Sequence, residues 1–139
     1  MPFSTETVQA GEYVLIRYEG TIEGDDFQQA HAAARILLKK HGWRRLLIDF
    51  RKVESRINVI DIYYCVTTNW HELRRVSIAL LCSPHLKGDG IFAETVAFNR
   101  SVRLKSFVDD KMAVAWLIKS NGTWDRQVNY DDPVELKSE

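Results

Sequence analysis

The chain has 139 residues, of which 45% are hydrophobic and 27% charged, and its 19 basic residues balance 19 acidic ones. A neutral chain of this length is the size of one domain, needs no disulfide or metal to support its core, and lacks the positive field that attracts nucleic acid. No apolar run approaches the ~20 residues of a membrane span and no signal peptide opens the sequence, so we expect a cytoplasmic protein without a membrane span.

The first third of the sequence predicts a hairpin and then a helix. Residues 3–9 alternate weakly and can pair with the apolar strand Tyr13–Gly20 across a short turn. Asp25 or Asp26 is the expected N-cap of an amphipathic helix that ends at Gly42.

Apolar strands then alternate with helix patterns. Residues 46–50 (LLIDF) and 76–82 (VSIALLC) are typical of strands buried on both faces, and their starts are 30 residues apart, as in a βαβ unit. Asn58 is the expected cap of the helix between them. A third helix is expected near residues 91–100, a last strand at 103–108, and a fourth helix capped by Asp109 or Asp110. Residues 121–139 are expected to form a polar, acidic tail.

Four local features carry a resemblance to a known family. They are a strand ending in YEG before an acid-capped helix, LLIDF before a polar loop, VSIALLC before SPHLKGDG, and the closing RLKSFVDDKMAVAWLI. In this order they resemble the STAS-domain superfamily, and more closely its SpoIIAA-like (STAS/SEC14-like) branch. The resemblance implies an α/β fold over residues 1–120, with a mixed, mostly parallel sheet of four to five strands and about four helices. It also implies a regulatory binding role without catalysis.

The resemblance draws attention to the start of the second helix, where sporulation-type members carry a phosphorylatable serine. Asn58 stands at the position that aligns with that serine, and Ser55 lies nearby in the preceding loop. The sequence therefore departs from the phosphoserine switch at the residue that would carry it.

Two polar loops, residues 51–58 and 83–90, are expected at the carboxyl ends of the strands, where open α/β sheets bind ligands. The second loop places Ser83, His85 and Lys87 beside two glycines ahead of a helix, a pattern that suits an anion but also occurs in ordinary turns. A catalytic set of Ser83, His85 and Asp89 is disfavoured, because residues so close along one loop rarely reach the required geometry.

These features predict a non-catalytic regulatory or protein-interaction module. Its candidate binding residues are Ser55, Asn58, Tyr64, Ser83, His85 and Lys87, with Tyr64 on the exposed face of the second helix. The expected partner is another protein or a second copy of the chain, and no cofactor, metal or nucleic acid is expected. The alternative is a carrier or sensor that holds a small apolar or lipid ligand between helices and sheet.

Overall fold

The computed structural model describes residues 2–54, 61 and 75–119. In this part of the chain one five-stranded sheet carries three α-helices, with a short 3-10 helix, Pro84–Leu86, leading into the second of them. The strands are β1 (Phe3–Val8), β2 (Tyr13–Gly20), β3 (Arg45–Val53), β4 (Ser77–Leu81) and β5 (Arg103–Phe107). The helices are α1 (Gly24–His41), α2 (Lys87–Asn99) and α3 (Asp110–Lys119).

The strands lie side by side in chain order, β1-β2-β3-β4-β5. β1 is antiparallel to β2, whereas β2, β3, β4 and β5 are parallel. This confirms the predicted hairpin and the predicted mixed, mostly parallel sheet. It also places the carboxyl ends of four strands along one edge of the sheet.

Each face of the sheet has its own core. On β2, Val14, Ile16 and Tyr18 face the larger core beneath α1 and α2, while Leu15 faces the smaller core beneath α3. This division follows from the two-residue alternation of a strand. Tyr18 stacks on Phe50 with ring centroids 5.0 Å apart, which fills the space under the start of α1.

Three predicted boundaries are wrong. β3 continues through residues 51–53, predicted as loop, because Lys52 and Val53 pair with the end of β2 past a register shift. α2 begins at Lys87 and not near residue 91. The N-cap of α1 is Glu23, and Asp26 lies three residues inside the helix.

Some expectations fall on residues outside the described ranges. They are the helix capped by Asn58, the acidic tail at 121–139, and the division of the chain after residue 120. These stay predictions. In the described part of the chain, none of the helices has both the length and the apolar character that a membrane crossing demands.

Candidate functional site

The turn after β4 brings two of the predicted site residues into contact, and a third, Lys87, follows at the start of the next helix. Ser83 Oγ lies 2.9 Å from His85 Nδ1, with His85 exposed and Ser83 partly buried. Lys87, also exposed, is the first residue of α2. The other predicted site residues, Ser55, Asn58 and Tyr64, lie outside the described residues.

The Ser83–His85 contact joins two residues of one exposed turn. Asp89, the third residue weighed for a catalytic set, is only 4% exposed within α2. A catalytic serine requires a base that a third group orients in a protected site. An exposed pair at the surface is better suited to contacting a partner than to activating a nucleophile.

The glycines of this segment do not form the predicted loop, since residues 84–90 are already helical. Gly90 is buried, and a Cβ there would lie 2.9 Å from the Ser106 Cβ and 3.2 Å from the Cys82 Sγ. Gly90 therefore allows α2 to pack closely on β4 and β5. Gly88 faces open space.

A groove of about 310 Å³ follows the outer edge of β5. α2 forms one wall through Lys87, Ile91 and Glu94, and Asp109 and Met112 at the start of α3 form the other. The floor is residues 105–108 and Cys82. Three apolar side chains beside this groove are half or more exposed: Ile91 (51%), Val108 (50%) and Met112 (61%).

Four charged side chains line the groove, the carboxylates of Glu94 and Asp109 and the lysines Lys87 and Lys105, and their local partners differ. Glu94 Oε2 accepts hydrogen bonds from the Ser106 N–H and the Ser106 Oγ, each at 2.6 Å, and Asp109 Oδ1 accepts one from the Lys111 N–H at 2.8 Å. Lys87 and Lys105 have no carboxylate partner among residues 2–54, 61 and 75–119. The groove thus combines an apolar surface with two lysine ammonium groups that are available to a ligand.

Cys82, at the base of the groove, is a buried free thiol. Burial raises its pKa to about 12, and the negative charges of Asp89 and Glu94 act in the same direction. The thiol therefore stays protonated at neutral pH, and a protonated thiol is a poor nucleophile and metal ligand. The described ranges contain no cluster of three His, Cys, Asp or Glu residues that could hold a metal ion.

A chain of charged groups crosses the sheet from β1 through Arg17 of β2 to Asp49 of β3. Asp49, 7% exposed, accepts two hydrogen bonds from the Arg51 guanidinium, at 3.1 and 3.0 Å. These bonds raise the pKa of Arg51. Arg17 joins Asp49 (3.9 Å) to Glu6 (2.8 Å), and Arg51 reaches Asp110 at 3.9 Å. Because its members satisfy one another, this network stabilises strand ends and offers a ligand little.

The sequence analysis missed Ile91, Val108 and Met112. Exposed apolar residues that lie adjacent in space mark interaction sites. Their adjacency was not visible, because Ile91 and Met112 are far apart in sequence.

Comparison with known proteins identifies the fold. No family model matches the chain, and no curated protein is similar to it in sequence. Among solved structures, it is similar to an uncharacterized protein of the DUF3478 family with a SpoIIAA-like fold from Shewanella loihica PV-4. The two are 19% identical, with a TM-score of 0.56 over 83% of this chain and 91% of the other. The fold is SpoIIAA-like, as the sequence resemblance implied.

Proposed function

We propose that this protein is a non-catalytic, cytoplasmic regulatory or protein-interaction module of the STAS/SpoIIAA-like type. Its binding surface is the groove along β5 together with the adjoining turn that carries Ser83 and His85. One observation carries the proposal: Ile91, Val108 and Met112 are half or more exposed around one groove. Contiguous exposed apolar side chains are costly in water and mark surfaces that a partner covers.

The chemistry beside the groove supports binding over catalysis. Its thiol is protonated at neutral pH, its serine–histidine pair is exposed, and its two carboxylates already accept hydrogen bonds. Enzyme sites place reactive groups with shifted pKa values in a protected cleft. Here the pKa shift of Cys82 makes the group less reactive.

The second candidate is a carrier or sensor of a small apolar ligand. The groove volume of about 310 Å³ favours it, since ligand sites start near 300 Å³. A carrier encloses most of its ligand, whereas this groove is open along the outer edge of the sheet. We therefore rank a protein partner first.

Site-specific photo-crosslinking in the host cell tests the proposal. A benzophenone amino acid replaces Met112 in the groove, and the matched control replaces Ile36, which is 66% exposed on α1. We expect Met112 to yield one discrete protein adduct that Ile91→Glu removes, and Ile36 to yield none. An adduct between two copies would identify a homo-oligomer.

Native mass spectrometry of the purified protein separates the two candidates. A retained small molecule, lost on Ile91→Glu, would establish the carrier. The same adducts from both crosslinking positions, or none from Met112, would contradict the interaction module.

A further inference from the structure

The outer edge of β5 presents backbone groups that no other strand pairs in the described part of the chain. Phe107 O accepts from the Cys82 N–H at 2.8 Å, so the peptide groups of Phe107 face β4. Peptide groups alternate direction along a parallel strand, and those of Leu104, Ser106 and Val108 therefore face outward. The Ser106 N–H agrees, since it donates to Glu94 and not to β4.

Glu94 occupies the place of a missing strand. Its Oε2 lies 2.6 Å from the Ser106 nitrogen, where the carbonyl oxygen of a sixth strand would lie. Proteins protect edge strands with charged side chains, because open edges pair with other chains. Glu94 protects one hydrogen-bonding position, and no residue among 2–54, 61 and 75–119 hydrogen-bonds the outward backbone groups of Leu104 and Val108.

We propose that β5 accepts an extended acidic and apolar segment of a partner protein as a sixth strand, and that this segment displaces Glu94 from Ser106. The inference rests on the proposed function, since it names the segment that the interaction groove binds. Strand addition is an established mode of peptide recognition, with backbone bonds supplying affinity and side-chain contacts supplying specificity.

The composition of the segment follows from the groove walls. Side chains of an added strand alternate between the two faces of the sheet. On the α2 side they meet Ile91 and Lys87, and on the other side Met112 and Lys105. Both sides therefore combine an apolar contact with a lysine that lacks a carboxylate partner among the described residues. The groove's own carboxylates, Glu94 and Asp109, already accept hydrogen bonds from the Ser106 and Lys111 N–H groups, so the lysines are the charged groups left for the segment, and acidic and apolar side chains complement them.

A second copy of the chain fits this edge poorly. β5 (RLKSF) contains two basic residues and no acidic one, so in any register a second copy of it lacks the acidic side chains that suit the lysines. In an antiparallel twofold pair centred on Lys105, the two copies of that lysine would also lie directly opposite each other. Like charges directly opposite on neighbouring strands are destabilising. The expected occupant is therefore a different protein.

The test uses the full-length protein as the target and selects binders from a phage-displayed library of random 12-residue peptides. We expect the selected peptides to alternate apolar and acidic residues. Their binding should slow hydrogen exchange of the Leu104 and Val108 amides, read by NMR. The double variant Lys87→Glu with Lys105→Glu should weaken their binding at least tenfold, with folding checked by circular dichroism.

Glu94 provides the matched pair of variants. Glu94→Gln removes the charge but keeps an acceptor for the Ser106 N–H, whereas Glu94→Ala removes both. We expect Glu94→Ala to bind the selected peptides at least threefold more tightly than Glu94→Gln, because the peptide no longer displaces a hydrogen bond. Equal peptide affinities of Glu94→Ala and Glu94→Gln would contradict the proposal that Glu94 protects the edge of β5.

Three further outcomes would overturn strand addition. They are failure to select any peptide, peptides that leave the Leu104 and Val108 amides unprotected, and self-association of Glu94→Ala without peptide. A Met112 crosslink to a discrete protein would in each case leave the proposed function standing. If the Met112 crosslink were also absent, both the proposed function and strand addition would be contradicted.

Discussion

Gly90 shows how one residue sets the distance between a helix and the sheet. It lies inside α2, where glycine is a poor helix former, yet the Ser106 Cβ and the Cys82 Sγ leave no room for a methyl group. The close approach that Gly90 allows also brings Glu94, one turn later, within hydrogen-bond distance of Ser106. The geometry of the groove therefore depends on a missing side chain.

We expect Gly90→Ala to destabilise the protein by about 1–3 kcal/mol, the usual cost of overpacking, despite the better helix propensity of alanine. The control is Gly88→Ala in the same helix, where a Cβ meets nothing within 4 Å. That variant should gain up to about 1 kcal/mol. Urea unfolding measures both, and a gain in stability at both positions would contradict the packing role of Gly90.

The start of α1 shows which interaction fixes the first residue of a helix. Two adjacent aspartates are equally suitable N-caps by residue type, but the helix begins earlier, at Gly24. The Glu23 N–H donates to Asp26 Oδ2 at 2.9 Å, which forms a capping box with Asp26 inside the first turn. Asp25 and Asp26 both lie near the positive end of the helix dipole, and only Asp26 accepts this backbone bond.

We predict that Asp26→Ala destabilises the fold by about 0.5–2 kcal/mol, the range for lost capping bonds. Asp25→Ala removes the same charge from the same turn and should cost less, because it loses only the dipole interaction. The difference in urea midpoint between the two variants therefore measures the capping bond alone. Equal losses would show that charge, and not the bond to Glu23, stabilises this end.

At the scale of the whole molecule, the sheet separates two apolar cores, and contacts at the ends of the strands connect the elements on its two faces. Leu117 and Ala113 of α3 are fully buried against the face opposite α1 and α2. At the amino ends of the strands, Arg45 donates to Gly11 O (2.8 Å) and Ile118 O (3.2 Å), which ties the hairpin turn to the end of α3. α3 is thus anchored at its far end and presents Met112 to the groove at its near end.

This arrangement predicts that stability and binding separate along α3. Leu117→Ala should cost about 2–5 kcal/mol, as for other fully buried leucines. Met112→Ala, at a position 61% exposed, should change stability by no more than about 0.5 kcal/mol while weakening partner capture at the groove. Thermal unfolding measures the stability of both variants, and crosslinking from a benzophenone amino acid placed at Val108, in the same groove, measures partner capture with and without Met112→Ala. A large stability loss at Met112 would mean that it serves packing.

The fold was predictable because buried strands and helices require apolar residues at a regular spacing, which is visible in the sequence. The runs VLI and LLIDF indicated strands, Gly42 indicated the end of α1, and the 30-residue spacing indicated that β3 and β4 are parallel. The hairpin and the mixed sheet followed from these patterns. Ser83 and His85 do lie just after the carboxyl end of β4, whereas Lys87 and the two glycines, predicted in the same loop, belong to α2.

The chain by itself determined which described segments become strands and helices, to within a few residues at their ends, because these depend on patterns within a few residues. Only the tertiary structure decided that β5 lies at the sheet edge, that Glu94 meets Ser106, and that Ile91 and Met112 flank one groove. Those contacts join residues from separate elements, and they exist only once α2 and α3 pack on the two faces of the sheet.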